Sequence, residues 1–596
     1  MEMWSERSDR QRQRTRSGKP AERGNVLGLC FTGHGASAAL ISPEHGIRAL
    51  LLERFTGQKD ALIFGRQELE GILSKRSPVE ASIHWLLVAA FRKFPPSFVF
   101  EETFRPFLEA LLAGLPIGPE DIDLVVTSNC SFTLNQWWPS NLRKLQRCFP
   151  QSQVFLDIEH HAIHQRQAFL GSSFAEAAVL TVDTCGEDLK RLGGAKLAIT
   201  LGEGRGTDVR VFHEHVFPVS SPGRIYAAFT SYLGFRQGQE GKTMGLAPYG
   251  EDTVYRHLIL NLTLFPDGSF RFLSDRALFQ ALRQFTPERE PGEPLQQVHA
   301  DVAYAGQALL EDIVLNAVHA LARRSRSGNL CIAGGVGLNS VANEKALRAS
   351  RFERLYVMPN CGDPGQALGC ALFGARHLLG QPWSEGVSHD YLGPCYSDSD
   401  VETALRRSGL ELRRLEAPER FAARLLAQGR IVGWFQGGSE FGPRALGNRS
   451  ILADPRPARM KDHLNHQVKH RESFRPFAPA VLEADASAWF DVASPSPYML
   501  RVVPVLAAKR SVIPAVTHVD GTARVQTVSR TTNPRFHRLL EEFRNVTGVP
   551  VLLNTSFNVN ERPIVETPAD AVECYLSTGI DALVLHDYVA TKPGIA

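Results

Sequence analysis

No run of 18 apolar residues occurs anywhere in the 596-residue chain, which argues against a transmembrane helix. The nine cysteines are scattered, with no CxxC pair among them. A disulfide frame or a zinc ribbon is therefore not expected, and reduced thiols in a cytoplasm are the natural setting. Net charge is only +3, too little for a general binder of nucleic acid or membrane surface. A small polyanionic ligand remains compatible with it. No internal repeat stands out, and no low-complexity tract beyond the N-terminus. The first 25 residues hold seven Lys/Arg, four acids and no apolar run; they are no secretory leader and read as a disordered extension.

What is present is the composition of a globular protein, 43% hydrophobic and 22% charged, in a chain long enough for two large domains. Residues 26–54 read as three short strands, the pattern of an antiparallel meander. Helices are predicted at 83–93, 102–113, 223–233 and 301–325, and near 142–148. Strands are predicted at 123–127, 153–157, 178–183, 196–201, 209–216, 329–333 and 354–359. Residues 237–250 read as a loop. This alternation predicts α/β architecture. Periodicity is lost over 379–398, where Gly, Pro and Ser accumulate, and the boundary falls there. The expected units are an extension over 1–25 and domains over 26–385 and 386–596. The second is again α/β, with helices near 416–428, 459–467, 535–547 and 567–577, and with HVDGTARVQT and LLNTSFN as loops.

Residues 440–475 concentrate Arg444, Arg449, Arg456, Arg459, Lys461, Lys469, Arg471 and Arg475. Arg444 follows Pro443 and Arg475 precedes Pro476, so prolines restrict the backbone at both. Rigid guanidinium forks suit phosphate or carboxylate oxygens. A solvated helix face is the alternative, and Gly442, Pro443, Gly447 and Pro476 would break it. A second constellation is His160 with His164, one helical turn apart and so on one face. Asp183 and Asp363, each after a predicted strand, could complete a His2Asp2 shell or simply cap strand ends. Such donors suit Fe(II), Zn or Mn.

The segments EGKTMGLAPYG, EFGPRALGNRSILADPR, ESFRPFAPAVL, HVDGTARVQTV and GVPVLLNTSFN resemble those of the O-carbamoyltransferases of antibiotic and nodulation-factor biosynthesis, over about residues 26 to 592. The resemblance implies an actin-like (ASKHA) first domain and a YrdC-like second domain. It implies that carbamoyl phosphate and ATP give carbamoyl adenylate in the second, and that the carbamoyl group passes to the hydroxyl of a small acceptor in the first. Carried over, Arg444, Lys469, Arg475, Arg524, Asn554 and Ser556 line the adenylate-forming site. His34 and Lys59 meet the nucleotide or acyl group, and His160, His164, Asp183 and Asp363 hold the metal, iron in relatives. Mg accompanies ATP. Gly334, Gly335 and Asn339, at the GGVG turn, are expected against the nucleotide, since glycines allow close backbone approach. A cytoplasmic monomer or homodimer, binding neither nucleic acid nor membrane, is expected. The alternative is a tRNA threonylcarbamoyl-transfer-type enzyme with the same two folds. Three positions depart from the pattern: Gly35 follows His34, Thr184 and Cys185 follow Asp183, and Gln239-Glu240 precedes Gly-Lys. The last leaves Glu240 as the candidate general base, with Lys242 beside it.

Overall fold

A computed structural model describes residues 24–32, 35–59, 97–128, 145–184, 186, 196–217, 221–382, 386–411, 413–559 and 562–595. The helix expected at 83–93, residues 1–23 of the expected extension and His34 lie outside the described residues. No described helix is long and apolar enough to cross a membrane.

The first part of the chain is built on two five-stranded sheets. In the first, β1 (Asn25–Thr32), β2 (Gly35–Ser42) and β3 (Gly46–Leu51) form the expected antiparallel meander. β4 (Ile122–Ser128) and β5 (Gln153–Ile158) then add in parallel on the far side of β1. The second sheet repeats this plan. β6 (Glu176–Val182), β7 (Lys196–Arg205) and β8 (Asp208–Phe217) form an antiparallel meander. β9 (Asn329–Ala333) and β10 (Arg354–Val357) extend it in parallel beside β6. The two strand orders are identical, 3-2-1-4-5 within each set. The expectation of no repeat is corrected at this level. Topology needs only buried apolar strands and their connections, which unrelated sequences such as NVLGLCFT and EAAVLTV both supply.

Two helices carry much of the functional chemistry. The segment His160–Gly171, here α1, has ten of its twelve residues buried. A helix buried all round must be enclosed by other elements, and it packs against the second sheet and against α2 (Gln366–Phe373), whose residues are all buried. The stretch 237–250 is not the expected loop: Glu240–Leu246 is helical, followed by a tight turn over Ala247–Tyr249. Thr243 and Leu246 are buried there and the segment lies against the long helix Gln297–Arg324. That burial outweighs the helix cost of its glycines.

The second part holds an eight-stranded mixed sheet, all of whose strands lie between Arg413 and Thr591. At its centre, Val432–Phe435 pairs with Arg449–Ala453, a strand hidden in the sequence inside the basic run. Short strands also occur at Thr522–Arg524 and Gln526–Val528 within HVDGTARVQT, and Val551–Ser556 takes in much of LLNTSFN. The two parts are cross-linked by buried polar contacts. Arg501 reaches Glu344 at 2.6 Å, and Asn343 Nδ2 donates to the Leu500 carbonyl at 3.0 Å.

Candidate active site

The four expected metal-ligating residues converge. One donor atom from each of His160, His164, Asp183 and Asp363 lies within 4.8 Å of all the others. His160 Nε2 is 2.8 Å from Asp183 Oδ2 and 3.4 Å from Asp363 Oδ1; His164 Nε2 is 3.4 and 3.3 Å from the same two oxygens. The rings come from the first turns of α1, and the carboxylates from the ends of β6 and of the segment after β10. Asp183 is aimed by the backbone: Thr184 N and Gly335 N donate to its Oδ1 at 2.7 and 3.2 Å, leaving Oδ2 for the imidazoles. Gly335 is thus spent on a carboxylate. Its neighbour Gly334 has φ +91°, and a Cβ there would strike the Val182 carbonyl, so glycine is required for the turn to pass β6.

The electrostatics of the cluster are mutual. Burial alone would raise the Asp183 carboxyl, but hydrogen bonding from His160 and His164 holds it well below the usual range. Burial pulls His164 down, and its bonds to Asp183 and Asp363 more than offset that, leaving it above its ordinary value. Two nitrogens and two oxygens, buried and within reach of one point, fit a divalent first-row ion. His161 faces elsewhere: its Nδ1 meets Thr200 Oγ1 at 3.3 Å, and burial holds it well below its ordinary value.

In the second part, Arg444, Lys469, Arg471, Arg475 and Arg524 form a cationic pocket. Burial and then Arg475 push Arg444 down to about 10, and the same two causes push Arg471 down to about 9. Arg524 is held well below its ordinary value by burial, with Arg444, Arg471 and Arg475 adding to it. Lys469 is depressed by burial and then by Arg471; its Nζ donates to the Ser556 carbonyl at 2.8 Å, to Ser556 Oγ at 3.2 Å and to the Asn558 carbonyl at 2.8 Å. Glu472 is the carboxylate in this group, and it is 2.7 Å from Lys242 of the first part and 3.9 Å from Arg475. Arg444 Nε and Arg524 Nε are buried without a hydrogen-bond partner. Fixed cations in such excess present a site for a polyanion.

The other expected site residues separate. Asn554 Nδ2 donates to the Ala445 carbonyl at 3.1 Å and to Gln526 Oε1 at 2.8 Å, so it holds the loop that carries Arg444. Asn339 caps the helix Ser340–Arg348 and exchanges hydrogen bonds with Gln307. Lys59 is exposed beyond the short helix Leu52–Thr56. Not all of the basic run points one way. Arg449 is fully buried, donates to the Gln436 and Gly437 carbonyls and stacks 3.6 Å over Phe435. Arg456 grips Asp454, and Lys461 reaches Tyr249 of the first part. Arg471 was a member of the run without a role of its own, and Glu440 was overlooked. The Glu440 carboxylate accepts from Leu446 N at 2.6 Å and Asn448 N at 2.9 Å, folding the loop around itself. The turn carrying Cys361 lies between the two sites: that thiol, pushed up to about 12 by burial, feels both Asp183 and Arg444.

Comparison with known proteins agrees with this arrangement. A family profile described as carbamoyltransferase N-terminus matches residues 97–372, and one described as carbamoyltransferase C-terminus matches residues 423–592. The uncharacterised protein sll1178 of Synechocystis sp. is 36% identical over 95% of this chain and 97% of its own length. The nodulation protein NolO of Bradyrhizobium diazoefficiens is 40% identical over 73% of this chain and 79% of its own. The 3'-hydroxymethylcephem-O-carbamoyltransferase of Amycolatopsis lactamdurans is 34% identical over 59% of this chain and 65% of its own. With two buried sites of complementary chemistry and these relatives, the chain belongs to the carbamoyltransferase family, a family of transferase enzymes.

Proposed function

We propose that the protein is an ATP-dependent O-carbamoyltransferase acting on a hydroxyl of a small molecule. The observation that carries this reading is the cationic pocket, where buried Lys469 and four half-buried arginines gather, among the described residues, around one carboxylate that is already shared with Lys242. Such a pocket suits chemistry in which phosphate charge is gathered and expelled. In this reading water hydrolyses carbamoyl phosphate there to phosphate and carbamate. A carbamate oxygen then attacks the α-phosphorus of ATP, the bond to the β-phosphate oxygen breaks, and carbamoyl adenylate and pyrophosphate result. Arg444, Arg475 and Arg524 hold the phosphate oxygens, with Arg471 behind them. Lys469, anchored on Ser556, stands beside them. Mg accompanies ATP.

The carbamoyl group is then transferred at the His/Asp cluster. The acceptor oxygen attacks the carbamoyl carbon, the bond to the adenylate oxygen breaks, and AMP and a proton leave. His160, His164, Asp183 and Asp363 would hold a divalent ion, which would supply Lewis acidity. The protein's own part is to hold the four donors: α1 sets the rings, and the amides of Thr184 and Gly335 turn Asp183 toward them. We read the first domain, 26–385, as actin-like because its two sheets share one strand order, and the second, 386–596, as YrdC-like. The described cysteines are all free thiols, in keeping with a cytoplasmic enzyme. The cephem relative's name supports a small hydroxylated acceptor. The test follows pyrophosphate with labelled carbamoyl phosphate: release is expected only when ATP and carbamoyl phosphate are both present. ADP with a phosphorylated acceptor would defeat the reading.

A further inference from the structure

The two residues immediately before Pro443-Arg444 belong to the second part of the chain, yet their backbone is held from outside its sheet, by Asp390 of the connecting segment and by the first part. Phe441 N donates to the Asp390 carbonyl at 2.8 Å, and Gly442 N donates to Asp390 Oδ2 at 2.9 Å. The Gly442 carbonyl accepts from Arg54 NH2 at 2.7 Å, and the Phe441 carbonyl from Asn360 Nδ2 at 3.2 Å. All four polar backbone groups of this dipeptide are therefore fixed by the connecting segment and by the first part. The Phe441 ring is also buried in the core between the two sheets, among residues such as Cys30 and Leu368.

Asn360 leads further. Its carbonyl accepts from Gln167 Nε2, and Gln167 Oε1 accepts from His164 Nδ1 at 3.2 Å. The other nitrogen of the same ring, Nε2, faces Asp183 and Asp363. Gln167 and His164 are fully buried and Asn360 is 4% exposed, so water does not compete for these bonds. The orientations are unambiguous. The Asn360 carbonyl can only accept, which places the Gln167 amide nitrogen against it and Gln167 Oε1 against His164 Nδ1, so the ring donates there. His164 Nε2 is then the nitrogen that faces the two carboxylates, and it would give up its proton to take an ion. Gly365 permits the middle contact: a side chain there would collide with both the Asn360 carbonyl and the Gln167 amide. A one-directional run of hydrogen bonds thus joins the His/Asp cluster to the loop that presents Arg444.

We propose that Gln167 and Asn360 are positioning residues that couple the two sites, so that a divalent ion at the His/Asp cluster orders the loop carrying Arg444. The proposal rests on the reading of that cluster as a metal site. An ion on His164 Nε2 fixes the ring, and the fixed ring holds Gln167, Asn360 and the Phe441 carbonyl in register. By linkage, whatever orders the Arg444 loop strengthens ion binding in return.

The test uses the full chain and needs no turnover. Hydrogen–deuterium exchange of peptides spanning 437–449 is measured metal-free and with saturating Zn2+, while isothermal titration reports Zn2+ binding. In the wild type, Zn2+ is expected to slow exchange of this segment by about fivefold or more. Asn360→Asp, which keeps the shape but loses the donor, and Asn360→Ala are expected to bind Zn2+ within about a factor of ten of wild type, with the loop response reduced to less than about twofold. Gln167→Glu, which keeps the acceptor for His164 and loses the donor to Asn360, serves if neither Asn360 variant folds. A wild-type loop indifferent to bound Zn2+ overturns the coupling, as does a wild-type response in a folded variant. Absence of Zn2+ binding removes the metal reading and the coupling together. Absence of carbamoyl-phosphate-dependent pyrophosphate release removes the proposed reaction alone.

Discussion

The His/Asp cluster and the cationic pocket are both concentrations of buried and half-buried ionisable groups, and they are balanced in opposite ways. In the cluster two imidazoles face two carboxylates, and the hydrogen bonds among them hold Asp183 in its charged form despite its burial. In the pocket burial first, and neighbouring guanidinium groups after it, depress Arg444, Lys469, Arg471 and Arg524, and Glu472 is divided between Lys242 and Arg475. Burying charge without a partner is expensive. The first site is therefore balanced in charge before any ligand arrives, whereas the second carries an excess of positive charge until an anion enters. The difference teaches that an unbalanced buried charge is the better indicator of a charged substrate, and a balanced one of a fixed centre.

Removing one pole at a time breaks the comparison. Arg475→Ala is expected to lower carbamoyl-phosphate-dependent pyrophosphate formation by about two to three orders of magnitude, the scale for losing a fixed charge opposite a developing one. His164→Ala is expected to leave pyrophosphate formation within about tenfold of wild type while carbamoyl transfer to the acceptor falls by about a hundredfold or more. Pyrophosphate and carbamoylated product, quantified separately, check both. Equal loss of pyrophosphate release in the two folded variants would end the division of labour between the sites.

A smaller effect sharpens the contrast. If the pocket is strained by its own charge, Arg524→Met should relieve repulsion and raise Tm by about 2–4 °C in ligand-free protein, even as activity falls. Calorimetry decides this, and a clear fall in Tm would mean that the arginines are better compensated than their contacts indicate. The smallest effect concerns His518, which lies beside the pocket. Burial, with Arg524 and Lys461 adding to it, pushes its imidazole down to about 4 from 6.5. The folded state then carries fewer protons on this ring than the unfolded chain. Stability from this group is present above pH 6.5 and is lost as pH falls from there toward 4. His518→Gln is expected to flatten the dependence of Tm on pH in that window and to change little above it.

Much of the architecture was legible because it rests on local chemistry. The meander at 26–54, the long helix, the glycine turn before Ser340 and, in the second part, strands such as Val432–Phe435, Ala478–Leu482 and Ala582–Leu585 follow from apolar periodicity and turn residues. The metal-type cluster was readable from the i, i+4 spacing of His160 and His164, and their carboxylate partners from strand ends. What escaped depends on contacts distant in sequence. Arg449 looks identical to Arg444 in a list of charges; only its place in a central strand, stacked on Phe435, turns it inward. Asn339 and Gly335, expected at a nucleotide, also have partners within the fold that the sequence does not announce, a helix start and a carboxylate. Glu440 and Asn360 gave no signal, because their partners are backbone groups brought near by folding. The shared strand order of the two sheets left no trace in residue identity, since the pattern of buried positions suffices to specify it.

That doubled architecture has a consequence for how the metal-type cluster comes into being. Both imidazoles sit on the helix that closes the first copy, and both carboxylates belong to the second, at the ends of its strands. A chain cut at residue 175 keeps the two rings and loses every oxygen donor. Neither copy owns the centre, so an ion bound there would be a rivet between them, and loading it would belong to the same event as bringing the copies together.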